Sequence, residues 1–182
     1  MRHVLFVLAA CAGITAAACR ETKAPPVAAN PGVADSADQI LFKTRYLLST
    51  HGIQRGDLLA DTAYLLNDAT KLDLRKAHVT FTSETGAPEG TMEANRGVYN
   101  TQSQVLEGWG NVIVRLVDGR TLKSPHVTFN QMTHMIVSDT TYSITRTNDT
   151  QTGVGFTSNQ TFTKFTCLRS CAGNGSVLLP EK

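Results

Sequence analysis

The chain has 182 residues and a formal net charge of +2, from 17 Lys and Arg against 15 Asp and Glu. That length suits one domain with a tail, and the near-neutral balance excludes a basic surface large enough to hold a nucleic acid by its phosphates. Hydrophobic residues make up 41%, enough for a core and too many for wholesale disorder, and 24 threonines beside many Val and Ile favour pleated strands over helices.

The first element is an address. Arg2 and His3 precede an apolar run from Val4 to Thr15, and Ala16-Ala17-Ala18-Cys19 follows. A positive start, an apolar stretch of about a dozen residues and a small-residue site make a secretory signal over residues 1–18. The run is shorter than the roughly 20 residues of a membrane span. Cys19 after three alanines is similar to a lipoprotein cleavage box, although Ala16 stands where such a box usually carries Leu. Leu8-Ala9-Ala10-Cys11 fits the box better by residue type but leaves an apolar run of only about seven residues. Cys19 is the expected lipidation site and Cys11 the alternative; an ordinary signal peptide with two incidental cysteines also fits.

Residues 20–35 contain Ala, Pro, Val, Asn and Gly without a period, broken by Pro25-Pro26 and Pro31-Gly32. With Cys19 they form a tether over residues 19–37. A flexible linker of this length spans roughly 20–25 Å, which keeps a following domain near the membrane that holds Cys19.

From Asp38 onward two-residue alternation dominates. Leu72, Leu74, Val79 and Phe81 share a face if a bulge falls near Lys76. Val112, Val114 and Leu116 alternate with Ile113, Arg115 and Val117. Turn residues separate the runs at Asn67-Asp68, Thr85 to Pro88, Asn100-Thr101, Asp118-Gly119 and Asn148-Asp149. Asp118-Gly119 reads as a two-residue hairpin. Eight to twelve antiparallel strands are expected over residues 38–166. Residues 167–182 read as a tail in which Cys167 and Cys171 form either a disulfide or two free thiols.

The chain also repeats. Leu58-Leu59-Ala60, Met92-Glu93-Ala94 and Leu122-Lys123-Ser124 open three similar units, and a weaker fourth begins near Val154. Such periods mean stacked supersecondary units, here strand pairs, none of which can bury its apolar face alone.

No Gly-x-Ser-x-Gly, Walker or His-Glu-x-x-His motif occurs, and the acids are spread singly, so no catalytic residue is expected. His51, His78, His126 and His134 are scattered, which argues against a metal site, and no cofactor is implied. Trp109 between Gly108 and Gly110 suits either a groove-lining aromatic or a rim aromatic over a glycine bulge.

Leu106-Glu107-Gly108-Trp109-Gly110-Asn111-Val112, with the repeated Leu/Met-x-Ala starts, resembles the OstA-like repeat of lipopolysaccharide-transport proteins. A single such domain behind a membrane signal is most similar to the LptC-type members. The resemblance implies a twisted, open all-β jelly-roll and a carrier in the periplasm. It would take lipopolysaccharide from the permease subunits of an inner-membrane ABC exporter and pass it to an LptA-like bridge protein. It also implies an apolar groove, for which Leu74, Phe81, Met92, Val112, Val114, Leu122 and Phe129 are the candidates. The open sheet end would offer unpaired backbone groups to the next protein. The known members keep an uncleaved N-terminal helix, whereas this chain carries a lipid-anchor signature, with the inner membrane favoured. A structural or adhesion-type β-solenoid lipoprotein binding a protein or glycan is the alternative, and a closed interior would favour it over a carrier.

Overall fold

The computed structural model describes residues 32–50, 52–147 and 149–173. Cys11, Cys19, the signal, most of the tether and the end of the tail lie outside the described residues.

A short 3-10 turn, Val33–Ser36, leads into nine strands. They are β1 (Gln39–Thr50), β2 (Ile53–Leu66), β3 (Lys71–Thr82), β4 (Pro88–Asn100), β5 (Val105–Leu116), β6 (Thr121–Asn130), β7 (Met135–Arg146), β8 (Asp149–Asn159) and β9 (Thr166–Gly173). All pair antiparallel with their sequence neighbours in the order β1 to β9, so the molecule is one meandering sheet. The expected all-β fold is present, and the sheet runs past the boundary expected at Thr166, because β9 pairs with β8.

The inward face changes residue parity halfway along most strands. In β3, Leu72 and Leu74 are buried and then Ala77, Val79 and Phe81. The slip falls at Lys76, which has φ +51. A bulge there was expected from the pattern alone. In β5 Gly110 (φ +71) and Asn111 (φ +52) interrupt the pattern without changing parity, since Leu106, Gly108, Val112, Val114 and Leu116 are all buried; this pair is a bulge inside one strand, not a turn between two. Each slip bends its strand, and the bends line up into a crease that folds the sheet into two arms.

The crease is lined by small inward side chains: Ala60, Ala63, Ala77, Ala94, Ser124 and Ser138, all buried. They let the two arms converge. A Cβ built on Gly108 would sit 3.2 Å from the Ala94 Cβ, and one on Gly97 would sit 3.2 Å from the Ala77 Cβ. This is the physical content of the sequence repeat. Ala60, Ala94 and Ser124 occupy the same place, just before the bend, on β2, β4 and β6. The fourth equivalent is Gly153 on β8, which puts the start of that unit at Gln151, three residues ahead of the start expected at Val154. The Asp118-Gly119 turn is also longer than expected: Leu116 and Arg120 close it, with Gly119 at φ +88. That is the three-residue turn with a left-handed final position.

Candidate functional site

Between the arms lie two apolar rows set by strand register. In the first arm Leu58, Val79, Met92, Val114, Leu122 and Ile144 are direct cross-strand partners from β2 to β7. In the second arm Leu72, Tyr99, Leu106, Phe129 and Ile136 are partners from β3 to β7. Cross-strand neighbours on one face lie about 5 Å apart, so each row is a continuous apolar band. The arms touch where Phe81 meets Phe129, ring centroids 4.9 Å apart and nearly edge to face.

All seven groove candidates are thus on the inner surface. Met92, Val114 and Leu122 sit in the first-arm row, with Val112 one step nearer the crease opposite Ser124. Phe129 is in the second-arm row, Leu74 is beside the crease and Phe81 bridges the arms. Each is 2% exposed or less. The open lengthwise channel expected from the resemblance is therefore filled by the protein's own side chains. Arg115 points to the other face, where its Nη1 is 2.8 Å from Glu93 Oε1.

Trp109 does not line the interior. It lies on the outer surface and stacks on His126, centroids 5.1 Å apart and planes 14° from parallel, over the Gly108–Gly110 bulge. Among the described residues no three His, Cys, Asp or Glu side chains converge on a metal position. His126 instead lies 3.4 Å from Asp139 and 3.8 Å from Glu107 across neighbouring strands.

Opposite the crease, the strand-turn tips of the two arms meet and form a mouth. Polar side chains tie it. Gln131 Nε2 donates to Thr50 Oγ1 (2.9 Å), and Gln131 Oε1 accepts from Tyr99 Oη at 3.2 Å. Burial and the neighbouring Tyr46 push the Tyr99 hydroxyl up to about 12, so it remains a donor at any physiological pH. Arg55 reaches His134 Nε2 at 3.1 Å and Glu84 at 3.0 Å. Guanidinium only donates, so this His134 nitrogen must accept. Gln160 Nε2 donates to Glu89 at 2.6 Å. Arg120 donates to the Phe162 carbonyl at 2.9 Å and the Thr161 carbonyl at 3.4 Å.

Sequence reasoning missed every one of these ties. Gln131, His134 and Gln160 sit in or beside turns, and Arg55 and Glu89 near strand starts, where a polar residue carries no pattern of its own. Their partners are distant in sequence, up to 81 residues for Gln131 and Thr50.

Comparison with known proteins follows the same lines. Residues 5–173 match the family described as lipopolysaccharide-assembly, LptC-related. Among solved structures, one similar chain is LptH of Pseudomonas aeruginosa, described as the LptA-homologous periplasmic component of the conserved lipopolysaccharide transport device. It superposes with a TM-score of 0.50 at 12% identity, over 63% of this chain and 82% of that one, and at that identity it speaks to the fold alone. The curated proteins contain no match.

Proposed function

We propose, from the premise that the chain belongs to the LptC-related family of lipopolysaccharide-assembly proteins, that it carries the acyl chains of lipopolysaccharide between its two arms. The family's work is lipopolysaccharide transport by non-enzymatic scaffold proteins, and that is this chain's role. The finer reading is a periplasmic carrier, attached to the inner membrane through lipidated Cys19. It receives the lipid from the permease subunits of an ABC exporter and hands it to an LptA-like bridge protein. The filled interior weighs toward the structural alternative; the family match and the pair of in-register apolar rows weigh more, and the rows are the observation that carries the reading. Together they make one greasy surface crossing six strands, long in the direction that stacks strand on strand.

Acyl chains transfer from water to such a surface favourably, by about 0.8 kcal/mol for each buried CH₂. At about 4.8 Å per strand, nine strands measure roughly 40 Å along the stack. One domain is then a short link and needs partners in series. Its two edge strands, β1 and β9, leave backbone groups for a neighbour to pair with.

A photo-crosslinking residue at Val114 tests the reading. In cells it should capture lipopolysaccharide, and only while the exporter hydrolyses ATP. The same residue at Arg115, one step along on the outer face, should capture little. Equal capture at both positions, or none at either in a folded protein, counts against the interior as the lipid path.

A further inference from the structure

We infer that the row of polar ties across the mouth is a latch, and that the lipid is admitted by parting the strand-turn tips there. The inference rests on the carrier reading and adds the route by which the interior opens.

Between its two ends at β1 and β9, the apolar interior is bounded lengthwise by the crease, the two arms and the mouth, which differ in what opening them would break. At the crease every strand crosses as continuous backbone, and small residues touch one another within 3.2 Å of where an added Cβ would lie. Within each arm the boundary is a ladder of backbone hydrogen bonds from β1 to β9. At the mouth no strand pairs across. The ties there are side-chain bonds between the β1/β2 end and the β6/β7 turn, and between the β3–β6 turns and the β8/β9 turn. It is the boundary with the fewest bonds to break.

The chemistry of the ties also suits repeated opening. Polar groups released from the mouth exchange their partners for water, so their net loss is small. An apolar closure would expose its surface each time. The latch is not fully satisfied even when shut. Gln160 Oε1 is buried with no hydrogen-bond partner among the described residues. A polar cavity of about 150 Å³ lies in the seam between Arg55, Glu89, His134 and Gln160. By contrast the second-arm turns are tied to one another by backbone bonds, Thr101 to Thr70, Gln131 to Gln104 and Gln160 to His134. They can therefore move as one lip.

A latch is required because the interior is full. Phe81 and Phe129 are in ring contact, and both rows are sealed from solvent. Protein interiors leave few voids larger than a water molecule, so an acyl chain must separate the arms before it can lie between them.

The test uses the lipidated mature chain, without reductant, carrying Glu89→Cys and Gln160→Cys, so that Cys167 and Cys171 stay paired in their disulfide and do not compete. Dibromobimane joins the two new cysteines across the mouth, and monobromobimane labels them without joining them. Each protein is added to proteoliposomes that hold lipopolysaccharide and the ABC exporter, supplied with ATP, and irradiated through a photo-crosslinker at Val114. The joined protein should capture at least tenfold less lipid than the singly labelled one, with the same circular dichroism. Arg55→Ala, which cuts a tie and adds no lock, should speed capture severalfold. Equal capture by joined and unjoined protein, or an unchanged rate in Arg55→Ala, overturns the latch and leaves the carrier reading standing. No capture by either labelled protein overturns the carrier reading and the latch with it.

Discussion

Asp73 shows how one residue holds the outer surface of the fold. It alternates outward between Leu72 and Leu74, yet it is only 2% exposed. Arg75 and Arg96 cover it, both donating to its carboxylate, and Arg75 lies 5.2 Å over the Tyr64 ring. Burial works to raise the Asp73 pKa, but the hydrogen bonds and charges of Arg96 and Arg75 outweigh it and hold the carboxyl below its usual range. The sign of the linkage follows. A carboxylate with a depressed folded pKa contributes stability above its unfolded pKa, near 3.9, and loses it as pH falls toward the folded value. Both arginines are more than a third exposed, so solvent screening keeps the contribution small. Asp73→Asn should therefore lower stability by about 1–2 kcal/mol at pH 7. Urea unfolding between pH 5 and pH 2 should show a shallower acid loss for the variant than for the parent chain. Parallel acid limbs would remove Asp73 as a source of the pH dependence.

At the scale of elements, β9 joins sequence to geometry most directly. Residues four apart in an extended strand stand about 13 Å from each other, beyond the reach of any disulfide. Cys167 and Cys171 have Cα atoms 6.1 Å apart and are bonded in the structure. They come within reach because β9 bulges between its pairings with Val154 and Thr152, with Ser170 at φ +49. The bridge thus staples a bulge in an edge strand, where bulges are common. Isolated without reductant, the chain should show no free thiol at Cys167 or Cys171 until it is reduced. Cys171→Ser should lower stability by no more than about 2 kcal/mol, since the closed loop is short. Quantitative alkylation without reductant would disprove the bridge. The sequence made such features legible where a local rule acts. The Lys76 bulge showed as a change of parity, and the Ala60, Ala94 and Ser124 repeat as a period. Gly110-Asn111 carries no such local rule, because left-handed residues make turns and bulges alike. Only the pairing of Trp109 with His126 across β5 and β6 separates the two, and pairing is not local.

For the whole molecule, the strand count and the apolar inner surface were legible in the sequence, but the meeting of the arms was not. The mouth is set by partners such as Glu89 and Gln160, which lie 71 residues apart in the chain. No alternation or turn residue encodes that approach. The seven groove candidates could be assigned to the inside but not to a filled interior, because packing residues and lipid-facing residues obey the same alternation. A carrier with a sealed interior gains from being held where its lipid emerges. A tether of roughly 20–25 Å would keep the mouth within a domain's width of the membrane surface. That places weight on the N-terminus, where Cys19 is the proposed anchor. Mass spectrometry of the mature chain should find a diacylated or triacylated peptide beginning at Cys19. Cys19→Ser should leave an unlipidated precursor that keeps Met1, and should reduce lipid capture at Val114 even though the folded sheet is unchanged. An acylated peptide beginning at Cys11 would move the anchor upstream and lengthen the tether by eight residues. A free amino terminus near Arg20 would abolish lipidation, and the domain would then depend on protein contacts alone to stay at the membrane.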